Sequence, residues 1–304
     1  MKIATTTADF GAYYSTDTDR IRALHRAGFR YIDLSMYALS PQSPLMQDNW
    51  REEVQRLRET AQELGMEFVQ AHSPGGNFLS PKLADPSFLE HSILRSIQVC
   101  ALLGIPHTVL HFGFASGLSK EQSFEQNRTF CQKFLPLMEE TGVCLLMENS
   151  CQVNMGDKYY PNSAADLLEF LSFVGHPQLH ICWDTGHANC EGHQYEQITA
   201  LGKELYAIHY NDNHGTADEH LMPYLGTMSN DEVITALTDI GYQGCFTLEC
   251  TATLLKKRGW PYKRRPFAQD ERLIQPPLLL MEQMESTLYH TAVHLLSSYG
   301  LQEP

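Results

Sequence analysis

The chain has 304 residues, long for a two-layer domain and short for two full enzyme domains, which fits one large α/β unit with an appendage. Hydrophobic residues make up 43% and charged residues 19%, a globular balance that excludes a disordered chain. Acids outnumber bases 36 to 22, a net charge of −14, which argues against binding nucleic acid over the whole surface, since counterion release needs clustered Lys and Arg.

Short apolar runs alternate with longer amphipathic ones. Lys2–Thr7 reads as a strand, Asp19–Ala27 as a helix stopped by Gly28, and Tyr31–Tyr37 as the next strand. Asn49–Leu64 has helical apolar spacing and ends at Gly65; Glu67–His72 is a third strand. Pro86–Leu103 is a helix closed by Gly104, His107–Phe112 a fourth strand, and Lys120–Thr141 largely helical. The second half continues with strands at Val143–Glu148, Leu179–Asp184, Leu205–Tyr210 and Cys245–Glu249. Helices are expected at Ser163–Val174, Tyr195–Leu201 and Asp231–Ile240. A long polar loop runs from the seventh strand to Thr227, and an amphipathic helix lies near Leu279–Leu296.

Eight strand–helix units in roughly 250 residues are the arithmetic of a (β/α)8 TIM barrel. A doubly wound sheet is the alternative, disfavoured because no G-x-G-x-x-G follows the first strand. Residues 1–304 read as a single domain, with a barrel core at about 1–250 and a C-terminal extension at about 251–304 that carries a basic loop and a helix. No apolar run reaches the ~18 residues that span a bilayer, and the N-terminus has no signal-peptide core. The eight cysteines are scattered without a C-x-x-C, as in reduced thiols of a cytoplasmic protein. Cys144, Cys182 and Cys245 fall in apolar runs and are core candidates.

The strand ends carry the chemistry. Apolar runs deliver His72, His111, Glu148, Asp184, His209 and Glu249 about one βα unit apart, and His187 follows one turn after Asp184. Asp218 and His220 sit in the long loop. In a barrel all these ends meet at one mouth, where active sites are built. Unpaired buried charges cost several kcal/mol each. A divalent metal resolves that conflict by neutralising acids and accepting imidazole lone pairs. Capping or backbone bonding explains a single such His, but not nine groups at this period.

At these residues the chain resembles the xylose isomerase-like TIM barrels, a superfamily that holds sugar phosphate isomerases and epimerases, ketose 3-epimerases, inosose dehydratases and endonuclease IV. The specific stretches are Asp184-Thr185-Gly186-His187, His209-Tyr210-Asn211-Asp212-Asn213 and Asp218 through Gly226, supported by Glu148-Asn149 and Leu248-Glu249. The epimerase branch implies one metal held by Glu148, Asp184, His209 and Glu249, with His187 on the substrate. The nuclease branch implies three zinc ions and adds His72, His111, His187, Asp218 and His220 as ligands. Against the nuclease, Ser73-Pro74-Gly75-Gly76-Asn77 offers no wedge to pry bases apart. The Gly-Glu-Gly that usually closes the loop motif is here Gly226-Thr227-Met228.

The resemblance implies a metal-dependent sugar or sugar-phosphate isomerase or epimerase working through an enediolate. Glu148 and Glu249 are the proton carriers, and Zn2+ or Mn2+, alternatively Mg2+ or Co2+, is the metal. A multinuclear zinc phosphodiesterase, an inosose-type dehydratase and a non-catalytic sugar-binding barrel remain alternatives. His72, His111, Asp33 and Trp183 are candidate substrate contacts, with Tyr13 weaker. Lys256 and Arg258 lead a basic cluster after strand eight that suits a phosphate clamp or a contact in a homo-oligomer.

Overall fold

The computed structural model describes residues 1–250 and 276–301. Eight parallel strands form one sheet in the order β7-β6-β5-β4-β3-β2-β1-β8. They are β1 (Ile3–Thr6), β2 (Tyr31–Ser35), β3 (Glu67–His72), β4 (His107–Leu110), β5 (Cys144–Glu148), β6 (Leu179–Asp184), β7 (Leu205–His209) and β8 (Phe246–Leu248). The ring closes between β7 and β8, where the Tyr210 N–H donates to Thr247 O at 2.7 Å and the Glu249 N–H to Tyr210 O at 3.1 Å. The fold is therefore a TIM barrel, and no helix among the described residues is long and apolar enough to cross a membrane.

The outer layer comprises α1 (Asp17–Ala27), α2 (Trp50–Leu64), α3 (Pro86–Leu103), α4 (Lys120–Cys131), α5 (Leu135–Thr141), α6 (Gln152–Met155), α7 (Ala164–Val174), α8 (Thr185–Glu191), α9 (Tyr195–Leu201), α10 (Asn230–Asp239) and α11 (Leu278–Ser298). The run expected as largely helical over 120–141 holds two helices. Pro136, in the first turn of α5, has no N–H to bond back into α4, so the ladder breaks at 132–134. The short helices α6 and α8, inside the loops after β5 and β6, escape the apolar pattern because each is a turn or two long. α11 is more than an appendage. It lies on α1, with the Tyr289 ring edge-on to Phe29 at 5.1 Å between centroids.

Side-chain alternation sets the interior. Val109, Leu146, Cys182 and Ala207 fill the barrel as a small apolar plug. Two residues further along β5, β6 and β7 the same face carries Glu148, Asp184 and His209. The intervening residues Met147, Trp183 and Ile208 point into the sheet–helix layer. Every cysteine is reduced; Cys182 is buried, whereas Cys144 and Cys245 are only partly so.

Two glycines that end helices in the left-handed region separate backbone strain from packing. A side chain at Gly65 (φ 63°) meets nothing within 4 Å, whereas one at Gly28 (φ 115°) would stand 2.8 Å from the Tyr289 ring on α11. Gly65→Ala therefore costs about 1–2 kcal/mol of strain alone. Gly28→Ala should cost distinctly more in urea unfolding, because it also displaces α11. Equal losses would mean that α11 does not depend on this contact.

Candidate metal centre

Nine polar side chains converge at the carboxyl ends of the strands. Glu148 at the end of β5 is buried, and its Oε1 accepts a hydrogen bond from His209 Nδ1 at 2.8 Å. Its Oε2 lies 2.7 Å from His111 Nε2 and 3.5 Å from His72 Nε2, yet has no hydrogen-bond partner. On the other side of His209, Nδ1 stands 3.6 Å from Glu249 Oε2. Ligand atoms of Glu148, Asp184, His209 and Glu249 all lie within 4.8 Å of one another, and those of His72, Glu148 and His209 do likewise. Beside them His187, Asp218 and His220 form another such cluster. Asp218 Oδ1 is 2.9 Å from His220 Nε2 and is again a buried oxygen without a hydrogen bond.

Short N···O contacts that are not hydrogen bonds are what two ligands of one cation make when their lone pairs point at a common position. The imidazole tautomers agree. His72 Nδ1 donates to Ser73 O at 2.8 Å and His220 Nδ1 to Glu249 O at 2.9 Å. A carbonyl only accepts, so Nδ1 carries a proton and Nε2 is the nitrogen turned to the carboxylates, able to pair with them when protonated and to ligate a cation when that proton leaves. The donor set of carboxylates and imidazoles fits a divalent transition metal.

Supporting residues hold these groups. Asp184 caps α8, its Oδ1 accepting the His187 N–H at 2.6 Å, so one carboxylate starts the helix that presents His187. Asn149 clamps the Asp184 backbone, with Oδ1 accepting its N–H at 2.7 Å and Nδ2 donating to its O at 3.0 Å. Asn211 Nδ2 donates to Asp184 Oδ2 at 2.8 Å. A Cβ on Gly186 would fall 1.8 Å from Asn211 Oδ1, so the glycine is what lets Asn211 reach the aspartate. In the long loop Asp212 accepts the backbone N–H groups of Gly226, Met228 and Asn213. The Thr227-Met228 variation is thus tolerated, because the loop is tied through backbone atoms and through Gly226, where a Cβ would meet Asn213 O at 2.2 Å.

Electrostatics follow from this crowding. Burial opposes ionisation of Glu148, but His209 and His111 outweigh it and hold the carboxyl well below its ordinary range. Burial likewise opposes charge on His209 and His187. Facing carboxylates prevail, Glu249 and Glu148 for the former and Asp184 and Asp218 for the latter, and both imidazoles stand well above their ordinary value. Asp184 is pushed up by burial.

The cavity over these groups has a volume of about 550 Å³. His72, His111, Glu148, His187, Asp218, His220 and Glu249 line it. Asp184 and His209 are fully buried beneath, and Tyr37, Phe114, Tyr160 and Met155 supply an apolar wall. Two candidate substrate contacts do not line it. Trp183 is turned outward by strand alternation, and its indole N–H donates to Gln194 Oε1 at 3.1 Å. Asp33 is buried lower in the barrel, both oxygens without partners, and burial raises its pKa to about 6. Tyr13 also stands apart, its hydroxyl donating to Pro276 O at 2.8 Å. Lys256 and Arg258 lie outside the described residues.

Several residues escape sequence reasoning. Gln70 Nε2 contacts His209 Nε2 at 2.9 Å; its place two residues before His72, on the same strand face, was the available signal. Tyr160 donates to Glu148 O at 3.3 Å and Asn154 to Asp218 Oδ2 at 3.1 Å, both from loop positions without periodicity. Tyr37 packs edge-on against His72 and His111.

Comparison with known proteins agrees with this fold. The family model of the xylose isomerase-like TIM barrel matches residues 21–268. An uncharacterised protein of Methanocaldococcus jannaschii is 28% identical over 147 residues, 46% of this chain and 49% of that protein, so the chain spans about half the length of that relative. A D-psicose 3-epimerase of Enterocloster bolteae is 24% identical over 255 residues, 80% of this chain and 78% of that protein. The crystal structure of a D-psicose 3-epimerase in the presence of D-fructose superposes with a TM-score of 0.71 at 18% identity, covering 97% of this chain and 99% of that one. With its buried His/Glu cluster at the mouth of an epimerase-like barrel, the chain belongs to the xylose isomerase-like TIM barrel family.

Proposed function

We propose that this protein is a metal-dependent epimerase or isomerase of small ketoses, phosphorylated or free, that moves a proton beside a carbonyl. The observation that carries the reading is the group Glu148, Asp184, His209 and Glu249, whose ligand atoms share one 4.8 Å neighbourhood at the floor of a sugar-sized cavity. Glu148, Asp184, His209 and Glu249 would hold the ion, Zn2+ or Mn2+ by the mixed donor set. When bound, a divalent ion supplies Lewis acidity that acidifies the substrate C–H and stabilises the enediolate.

Glu148 and Glu249 project from different walls of the barrel. One carboxylate takes the proton from the carbon beside the carbonyl, and the other returns one. Return to the opposite face inverts that carbon, whereas transfer to its neighbour on the same face interconverts aldose and ketose. His187 donates to a substrate oxygen, as its retained proton allows. His72 and His111, on the cavity side of Glu148, contact the sugar or share a further ion. Tyr37, Phe114, Tyr160 and Met155 exclude water around the reacting carbons.

One observation favours a second reading. The group His187, Asp218 and His220 offers further ligands, as a multinuclear phosphodiesterase would use. The segment after His72 argues against it. The Ser73 hydroxyl is buried in contact with Ser96 and Thr108, Gly75 lies under the Tyr37 ring, and Asn77 is tied to Phe114, so nothing there projects as a wedge. Cleavage of an abasic-site duplex by the metal-loaded protein would reverse this ranking.

Incubation with a panel of ketohexoses and ketopentoses in deuterated water should place deuterium on the carbon beside the carbonyl. Glu148→Gln should lower the rate by roughly 10²–10⁴-fold. Metal content measured on the same samples distinguishes loss of the base from loss of the ion. No deuterium in any sugar, with the protein fully metallated, would refute the proposal. A second outcome concerns pH. His209 stands above its ordinary value, so an ion held by His209 must expel its proton. Apparent affinity should fall as pH drops below the raised value of His209, with proton uptake by the buffer visible in calorimetry. Binding without proton release would contradict this electrostatic picture.

A further inference from the structure

His209 is held differently from the other imidazoles of the cluster. His72 and His220 each give Nδ1 to a backbone carbonyl and turn Nε2 to the carboxylates. His209 does the reverse. Its Nδ1 faces Glu148 Oε1 at 2.8 Å and Glu249 Oε2 at 3.6 Å, and its Nε2 meets a side chain, Gln70 Nε2 at 2.9 Å. Gln70 lies on β3 and reaches His209 on β7 inside the barrel, while its Oε1 accepts from Thr247 Oγ1 on β8 at 3.3 Å. Gln70, Thr247 and His209 are all fully buried, so their polar atoms depend on one another.

A carbonyl can only accept a hydrogen bond, whereas a carboxamide can accept or donate. As it stands, the amide donates to Nε2, which suits a ring with its proton on Nδ1, directed at Glu148. A neutral ring that gives its Nδ1 lone pair to a cation, like a ring protonated on both nitrogens, carries hydrogen on Nε2 and needs an acceptor there. Turned about its last bond, the same amide supplies one. We propose that Gln70 is a positioning residue for the metal centre: in the loaded protein its Oε1 accepts the Nε2 proton of His209, which fixes the tautomer and aims the Nδ1 lone pair at the ion. The Thr247 hydroxyl then reverses and accepts from the amide N–H. A backbone carbonyl in this place would serve the ligated ring but would leave the neutral metal-free ring with its Nδ1 lone pair against Glu148. The inference rests on the reading that Glu148, Asp184, His209 and Glu249 hold an ion.

The test uses the full-length protein with heavy nitrogen in its histidines, with and without zinc. Zinc stoichiometry and affinity are measured by competition, and ring protonation by nuclear magnetic resonance. The expected result in the parent is a His209 ring protonated on Nε2 and ligated through Nδ1. Gln70→Leu should bind zinc roughly 10–100-fold more weakly. Gln70→Glu keeps an acceptor oxygen at the same reach and should recover most of that loss, which repair of a packing defect alone would not do. The proposal is overturned by a loaded ring protonated on Nδ1, by a folded Gln70→Leu protein that binds zinc like the parent, or by a Gln70→Glu protein that binds no more tightly than Gln70→Leu. Should Gln70→Leu not fold, the parent spectrum decides. A parent that binds no zinc refutes the metal reading as well, so the two failures are told apart.

Discussion

The organisation of this molecule depends on keeping the carboxylate of Glu148 ionised inside a barrel. The side chain is buried, and the cost of removing its charge from water is several kcal/mol unless partners repay it. Three imidazoles do so here: His209 hydrogen-bonds to it, while His111 and His72 press on its other oxygen. Those imidazoles need their own tethers, and the tethers account for much of the surrounding structure. Ser73 O fixes His72, Gln70 backs His209, and Asn149 and Asn211 hold Asp184 at the far edge of the same group. The second cluster, around Asp218, repeats this balance with His187 and His220. Such a balance of protons and carboxylates is one that a divalent cation can take over, because the orphaned oxygens already face the same space as the imidazole nitrogens.

The barrel serves this constraint through its period. Alternation along β5, β6 and β7 places Leu146, Cys182 and Ala207 as an apolar plug, then Glu148, Asp184 and His209 above it. The plug keeps water from reaching the charged layer from below. The apolar wall of Tyr37, Phe114, Tyr160 and Met155 narrows it from above. One face of the molecule thus bears the chemistry, while α11 against α1 and Phe29 braces the other side of the sheet.

Much of this was legible in the sequence because a barrel converts spacing into position. His72, His111, Glu148, Asp184, His209 and Glu249 end strands about one βα unit apart, and closure of the ring alone brings them together. Trp183 and Asp33 were misplaced for one reason: proximity in sequence to the mouth does not say which face of the strand a residue occupies, or how deep. Trp183, next to a ligand, faces the helices; Asp33 faces the interior but sits low. Asn154 and Tyr160 were not legible, because they reach the site from loops whose path follows tertiary packing and no period. The split of α4 from α5 needed only the lost N–H of Pro136, a local rule outweighed by the apolar pattern around it.

The central claim is that these carboxylates and imidazoles are arranged around a cation and not around one another. Anomalous diffraction from crystals grown with manganese or zinc tests it most directly. The account predicts a peak ligated by Glu148, Asp184, His209 and Glu249 at about 2.0–2.3 Å, with the contact between His209 Nδ1 and Glu148 Oε1 converted to shared coordination. A crystal soaked in excess metal that shows no peak there, with the 2.7 Å contact between His111 and Glu148 unchanged, would contradict it.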